Sequence, residues 1–194
     1  MKLHQRDPEK LYPHDRIMAA VILPFIPKKV HPKHITVLRF LLTPFAVWGI
    51  AIEAYAWAIP FFIFVAFTDV IDGSLARVRK RVTEWGTVFD PIADKVLISL
   101  AAVIVVTSAV GWWLTLALIF FELAIVMGGV SKKHEGKIVT ANYWGKSKMF
   151  AQSLGVVLLM LSLSLTLPIL TTIGMIVLIL AIVLAVMSLL TYSL

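Results

Sequence analysis

From about residue 35 to the C-terminus the chain reads as long apolar runs broken by brief polar interruptions, with no strict apolar–polar alternation. The missing two-residue period argues against the strands of a membrane barrel. At about 1.5 Å per residue, a helix needs about 20 residues to cross a hydrocarbon layer of roughly 30 Å. Cutting the runs at charges, glycines, prolines and turn-like spacings predicts six spans, near 35–53, 57–78, 86–109, 112–130, 145–166 and 169–193. In lipid each backbone polar group must be satisfied within its own element, so the predicted fold class is an all-α integral membrane protein. Residues 35–194 form one six-helix transmembrane domain, and residues 1–34 an N-terminal segment. Within that segment Ile17, Met18, Val21, Ile22 and Phe25 share one helical face, which predicts an interfacial helix on the membrane surface. The stretch is broken by Pro24 and followed by Lys28 and Lys29 instead of a small-residue cleavage site, so it does not read as a signal peptide.

Composition agrees with a bilayer setting, since 60% of the 194 residues are hydrophobic and only 15% charged. Charge adds an orientation. All 18 Lys and Arg fall in the first 39 residues, between Arg77 and Lys95, or between Lys132 and Lys148, while the connections near 53–56, 109–112 and 166–168 carry none. With six spans the three basic regions share one side, and the positive-inside rule makes that side the cytoplasm, with both termini there. The net charge of +7 is then a topology signal plus attraction to anionic membrane lipids, and requires no nucleic acid partner. The chain has no cysteine, which excludes disulfides and thiol chemistry.

Four aspartates interrupt this apolar pattern. Asp69 and Asp72 are three apart near the end of the second span, Asp90 and Asp94 four apart near the start of the third, and each pair shares a helix face. Pairing the two helices about a turn near residue 81 sets Asp72 level with Asp90 and Asp69 level with Asp94, in two layers about 4.5–6 Å apart. Crowded, poorly hydrated carboxylates repel one another unless compensated. Hard oxygen ligands suit Mg²⁺, Mn²⁺ or Ca²⁺, whereas a zinc site would call for Cys or nearby His. Two such ions about 4 Å apart could hold the attacking and leaving oxygens of a phosphoryl transfer. Gly73, Ala76 and Gly86 lie one turn away on the same faces, where they leave room for a ligand's flat base or simply allow close helix packing. Arg77 is placed to hold a pyrophosphate, or to serve as a topology charge like Arg79, Lys80 and Arg81.

The pattern D-x2-D-G-x2-A-R-x8-G-x3-D-x3-D, complete here from Asp69 to Asp94, resembles the signature of the CDP-alcohol phosphotransferases, membrane enzymes of phospholipid synthesis. The resemblance implies six transmembrane helices, a cytoplasmic interfacial N-terminal helix, a homodimer, and a place in the inner or plasma membrane of a prokaryotic cell with the active site facing the cytoplasm. It implies displacement at the β-phosphate of a CDP-linked lipid, in which an acceptor hydroxyl attacks and CMP leaves. By position, Asp69, Asp72, Asp90 and Asp94 look like ligands of two Mg²⁺ or Mn²⁺ ions, with Asp94 also the general base. Gly73, Ala76, Arg77 and Gly86 look like cytidine and pyrophosphate contacts. "DPIADK" and "YWGKSKMFAQ" resemble the phosphatidylglycerophosphate synthases, and the former also the related cardiolipin synthases. CDP-diacylglycerol is then the expected donor and glycerol 3-phosphate the expected acceptor, with inositol phosphate or another alcohol as the alternative. "HPKHITVLRF" resembles the family's opening of the first helix, with Lys33 where Asn is usual.

A dianionic acceptor needs fixed cations near the aspartates but not among them, and Arg39, Lys146 and Lys148 are the candidates, each also able to snorkel to headgroups. Lys132, Lys133, His134 and Lys137 form a predicted loop cluster, steering the acceptor or marking the cytoplasmic side. Glu122 should face the bundle and hydrogen-bond a neighbouring helix, and Lys95 should act as a counter-ion to the aspartates. Outside the enzyme class, a divalent-cation channel or transporter, or a scaffold locked by paired acids, also explains intramembrane carboxylates. Neither explains the spacing of Gly73, Ala76, Arg77 and Gly86.

Overall fold

The structure is a computed structural model that describes residues 13–27, 29–79, 84–134 and 143–193, and every regular element among them is helical. A short helix α1 (Pro13–Val21) and a 3₁₀ turn (Leu23–Phe25) precede six long helices: α2 (Pro32–Ala51), α3 (Tyr55–Val78), α4 (Glu84–Ala109), α5 (Trp112–His134), α6 (Tyr143–Leu165) and α7 (Pro168–Ser193). All six contain stretches long and apolar enough to cross a bilayer. Large side chains such as Trp112, Phe150 and Met127 are exposed on the protein itself, a placement that suits lipid and not water.

The chain divides into two compact units, Met1–Trp48 with Pro60–Leu97, and Gly49–Ile59 with Ile98–Leu194. In the first, Leu23, Ile35 and Leu75 form a buried cluster against which Ala19, Ile26, Val30, Ile71 and Val78 pack, joining the N-terminal segment to α2 and α3. In the second, α6 and α7 cross closely because Gly155 and Gly174 face each other, where an added Cβ would come within 2.7 Å of Leu178 or 2.8 Å of Leu159.

Helix ends follow from local chemistry. At the start of α2, Pro32 occupies the first helical position and His34 Nδ1 accepts a hydrogen bond from the His31 N–H (3.3 Å), so the cap comes from His34 and not from Lys33. The three cation-free turns each hold a residue with positive φ: Glu53 (59°), Gly111 (119°) and Thr166 (54°). All three close with a backbone bond reaching five residues back, Ala54 N–H to Gly49 O at 3.0 Å, Gly111 N–H to Val106 O at 3.0 Å and Leu167 N–H to Ser162 O at 3.3 Å. Only the middle turn uses glycine, which adopts that conformation without the Cβ penalty.

Two expectations change. The predicted fourth span stops at 130, where Gly128, Gly129 and the charges from Lys132 onward interrupt the apolar run, yet α5 continues to His134. A helical glycine costs only about 1 kcal/mol relative to Ala, which a packed helix tolerates. Lys132, Lys133 and His134 therefore belong to the last helical turn of α5, not to a loop. Lys137, Lys80 and Arg81 lie outside the described residues. At the N-terminus the helix starts earlier than the apolar stretch and ends at Val21, before Pro24. Of the five residues of the expected face, Ile17, Val21 and Phe25 are exposed, as a membrane-facing surface requires, whereas Met18 and Ile22 are half-buried; Ala19 and Leu23 turn inward.

Candidate active site

The first unit collects polar side chains from three helices. Thr36, Arg39 and Thr43 repeat at helical spacing along α2, and all three are buried. Thr68, Asp69 and Asp72 come from α3, and Asp90 and Asp94 from α4. Arg39 has no exposed surface, and each of its three guanidinium nitrogens donates a hydrogen bond. Nη1 donates to Asp69 Oδ1 (2.8 Å), Nη2 to Asp72 Oδ2 (2.6 Å) and Nε to Thr68 Oγ1 (3.0 Å). Thr68 passes its own proton to Val65 O (2.6 Å), which leaves its lone pairs for Arg39.

Thr36 joins the third helix. Its hydroxyl has one proton, which goes to Asp90 Oδ1 at 2.6 Å, with Asp72 Oδ2 and Pro32 O more distant at 3.4 Å. Asp72 and Asp90 thus meet at one side chain, which agrees with their expected common level. Asp94 lies one turn further along α4, half-buried, and the charges acting on it are those of Asp69 and Arg39. The Arg39–Asp72 pair is almost entirely removed from solvent, whereas the Asp69 side chain is 42% exposed. One cation therefore serves several carboxylates, and Asp72 is the one that depends on it most.

This differs from the expected position of Arg39, which was beside the carboxylates and not among them. The fork geometry explains the placement: a guanidinium can bond two carboxylates and a hydroxyl at once, and among the described residues no other fully buried donor of the unit offers that. Among the described residues, no three of His, Cys, Asp and Glu stand close enough together to enclose an ion. The donor set nevertheless fits a hard divalent cation. It is all oxygen, and Asp72 Oδ1 is buried without a hydrogen-bond partner, a lone pair that a cation would satisfy.

Gly73 and Ala76 lie on α3 beside the aspartates, and Gly86 falls in the first turn of α4. Arg77 is clasped by a residue the sequence did not suggest. Asp15 of α1 accepts Arg77 Nε at Oδ2 and Nη2 at Oδ1, both at 2.8 Å. In the second unit Lys146 is exposed at the start of α6, and the buried Lys148 pairs with Glu122 of α5. Glu122 thus meets its expectation of a bond to a neighbouring helix. Lys148 is committed to that carboxylate, so of the two lysines only Lys146 presents itself to solvent.

Thr36, Thr68 and Asp15 escaped the reading of the sequence. Thr36 and Arg39 are three apart on one face of an apolar helix, a signal that could have found the former. Asp15 had none, since a carboxylate in a polar N-terminal stretch reads as solvated.

Residues 29–187 match the family model described as CDP-alcohol phosphatidyltransferase. Curated relatives include proteins named CDP-diacylglycerol–glycerol-3-phosphate 3-phosphatidyltransferase. That of Yersinia pestis (strain Pestoides F) is 34% identical over 133 residues, covering 62% of this chain and 71% of the relative. That of Haemophilus influenzae (strain ATCC 51907 / DSM 11121 / KW20 / Rd) is 33% identical over 131 residues, covering 63% and 71%. That of Sodalis glossinidius (strain morsitans) is 33% identical over 141 residues, covering 66% and 75%.

Proposed function

Because the chain belongs to the CDP-alcohol phosphatidyltransferase family, we propose that it transfers the phosphatidyl group of CDP-diacylglycerol to glycerol 3-phosphate, forming phosphatidylglycerophosphate and releasing CMP. The observation that carries this reading is that the α3 motif aspartates Asp69 and Asp72 share one buried arginine of α2, while Thr36 of the same helix joins Asp72 to Asp90 of α4. The names of the relatives supply the substrates, and the "GKSK" stretch opening α6 agrees with them. A channel or scaffold leaves the glycine, alanine and arginine positions of the motif without a purpose.

In the proposed reaction Asp94 takes the proton of the acceptor hydroxyl, whose oxygen forms a bond to the phosphorus bearing diacylglycerol. The phosphoanhydride bond breaks and CMP leaves with its electron pair. Asp69, Asp72, Asp90 and Asp94 would hold Mg²⁺ or Mn²⁺, which when bound neutralises charge on the phosphate oxygens. Arg39 keeps the carboxylates in place, while Gly73, Ala76, Arg77 and Gly86 receive cytidine and diphosphate. Lys146 is the favoured acceptor cation, because Lys148 is already paired. The basic segments face the cytoplasm, α1 lies on that surface, and the protein works as a homodimer.

The test is CMP release by the purified protein from CDP-diacylglycerol with Mg²⁺ or Mn²⁺, with glycerol 3-phosphate, inositol phosphate, inositol, serine and phosphatidylglycerol offered side by side. Release only with glycerol 3-phosphate supports the proposal, and preference for another alcohol replaces the acceptor. Absence of release with any of them removes the enzymatic reading. Labels at 131–143 and 109–112 should report opposite sides, the former cytoplasmic.

A further inference from the structure

Asp15 sits in the first turn of α1 with no exposed surface, although its neighbours Ile17 and Val21 face outward. A carboxylate is buried this way only when its charge is matched. Here Oδ1 accepts from Ser74 Oγ (2.7 Å) and Arg77 Nη2 (2.8 Å), and Oδ2 from Arg77 Nε (2.8 Å). The guanidinium also lies along Gly73, where an added Cβ would be 3.4 Å from Nη1 and 3.5 Å from Nη2. A motif arginine is thus held between a motif glycine and a carboxylate from another helix.

Asp15 is not the sole anchor of the N-terminal segment, which has two other attachments. Leu23 packs with Ile35 and Leu75. Arg79 donates to the carbonyls of Ile26 (2.6 Å), Pro27 (3.1 Å) and Val30 (3.2 Å). With the segment already fixed, the two-pronged bond chiefly restricts the rotamers of Arg77. A fork held along one edge has a defined plane and a defined direction for phosphate recognition.

We infer that Asp15 is a positioning residue: it orients Arg77 toward the diphosphate of the CDP-linked lipid, which makes α1 part of the donor site. This rests on the reading of Arg77 as a diphosphate contact. Loss of Asp15 leaves the cation but frees its side chain, so donor affinity falls while the acceptor site is untouched.

The experiment compares the full-length protein with Asp15→Asn, Arg77→Ala and the double variant, in mixed micelles, by initial rates and by calorimetric binding of CDP. Asp15→Asn should raise KM for CDP-diacylglycerol roughly tenfold and weaken CDP binding similarly, with KM for glycerol 3-phosphate changed less than about twofold. In the Arg77→Ala background it should add nothing, since it acts through that residue. Asp15→Glu should recover part of the loss. If Arg77→Ala weakens donor binding but Asp15→Asn does not, the inference is overturned and the reading of Arg77 stands. If Arg77→Ala itself leaves CDP binding unchanged, that reading fails and the inference with it. Lower melting temperature with both KM values unchanged would make Asp15 an anchor only, against the inference. Should Asp15→Asn not accumulate, Ser74→Ala loosens the same carboxylate, and an unchanged donor KM there counts equally against it.

Discussion

Replacing Arg39 by Met tests whether a buried cation holds the carboxylate cluster together. The side chain keeps much of its length and loses its charge and donors. Asp72, itself 1% exposed, would be left with a 3.4 Å contact to Thr36 and an Oδ1 that already lacks a partner. Removing one member of a buried ion pair costs about 3–5 kcal/mol, because the remaining charge stays desolvated. Asp69 adds little to that sum, since its side chain is 42% exposed and solvent screens it. For a chain of this size about 1 kcal/mol corresponds to about 2–4 °C, so the melting temperature should fall by about 6–20 °C. Six tryptophans allow the melt to be followed by intrinsic fluorescence, and the absence of cysteine rules out thiol-reactive dyes. Divalent cations should then stabilise the variant more than the parent. A ligand at a hundred times its Kd contributes about 2.7 kcal/mol, enough to recover much of the loss. Arg39→Lys, which keeps the charge but not the fork, should fall between the two. A melt of Arg39→Met within about 2 °C of the parent would refute the reasoning, because an uncompensated Asp72 cannot be that cheap.

Asp94→Asn keeps the side-chain size but cannot take the acceptor's proton, so turnover should fall about 10²–10⁴-fold while calorimetry still detects CDP binding. Lys148→Met alone should cost about 3–5 kcal/mol by stranding Glu122, and adding Glu122→Leu should restore most of it in a thermal melt. A restored variant with an unchanged KM for glycerol 3-phosphate would take Lys148 out of the acceptor site. Gly155→Ala places a methyl 2.7 Å from Leu178 at the crossing of α6 and α7, where repacking should cost about 1–3 kcal/mol, measured by the same melt.

What could be read along the chain was whatever depends on local pattern. Span length against bilayer thickness identified six helices, and their ends came within a few residues of the observed ones, except where Gly128, Gly129 and the charges from Lys132 onward suggested an end and α5 continues to His134. The spacing of Asp69, Asp72, Asp90 and Asp94 was legible for the same reason: helical periodicity converts sequence intervals into shared faces. Partner choice is not local. Nothing near Arg39 in sequence says that its guanidinium meets residues 30 and 33 positions away, or that Asp15 reaches Arg77 across 62. Lys148 and Lys146 are equivalent by residue type and by spacing, yet one is buried against Glu122 and the other exposed. Sequence by itself determined which segments enter the membrane and which carboxylates share a face, because hydrophobicity and helical period act over a few turns. Only the tertiary structure decided which cation compensates which carboxylate, because buried charges must be matched in space, by whichever chain segment the packing brings near.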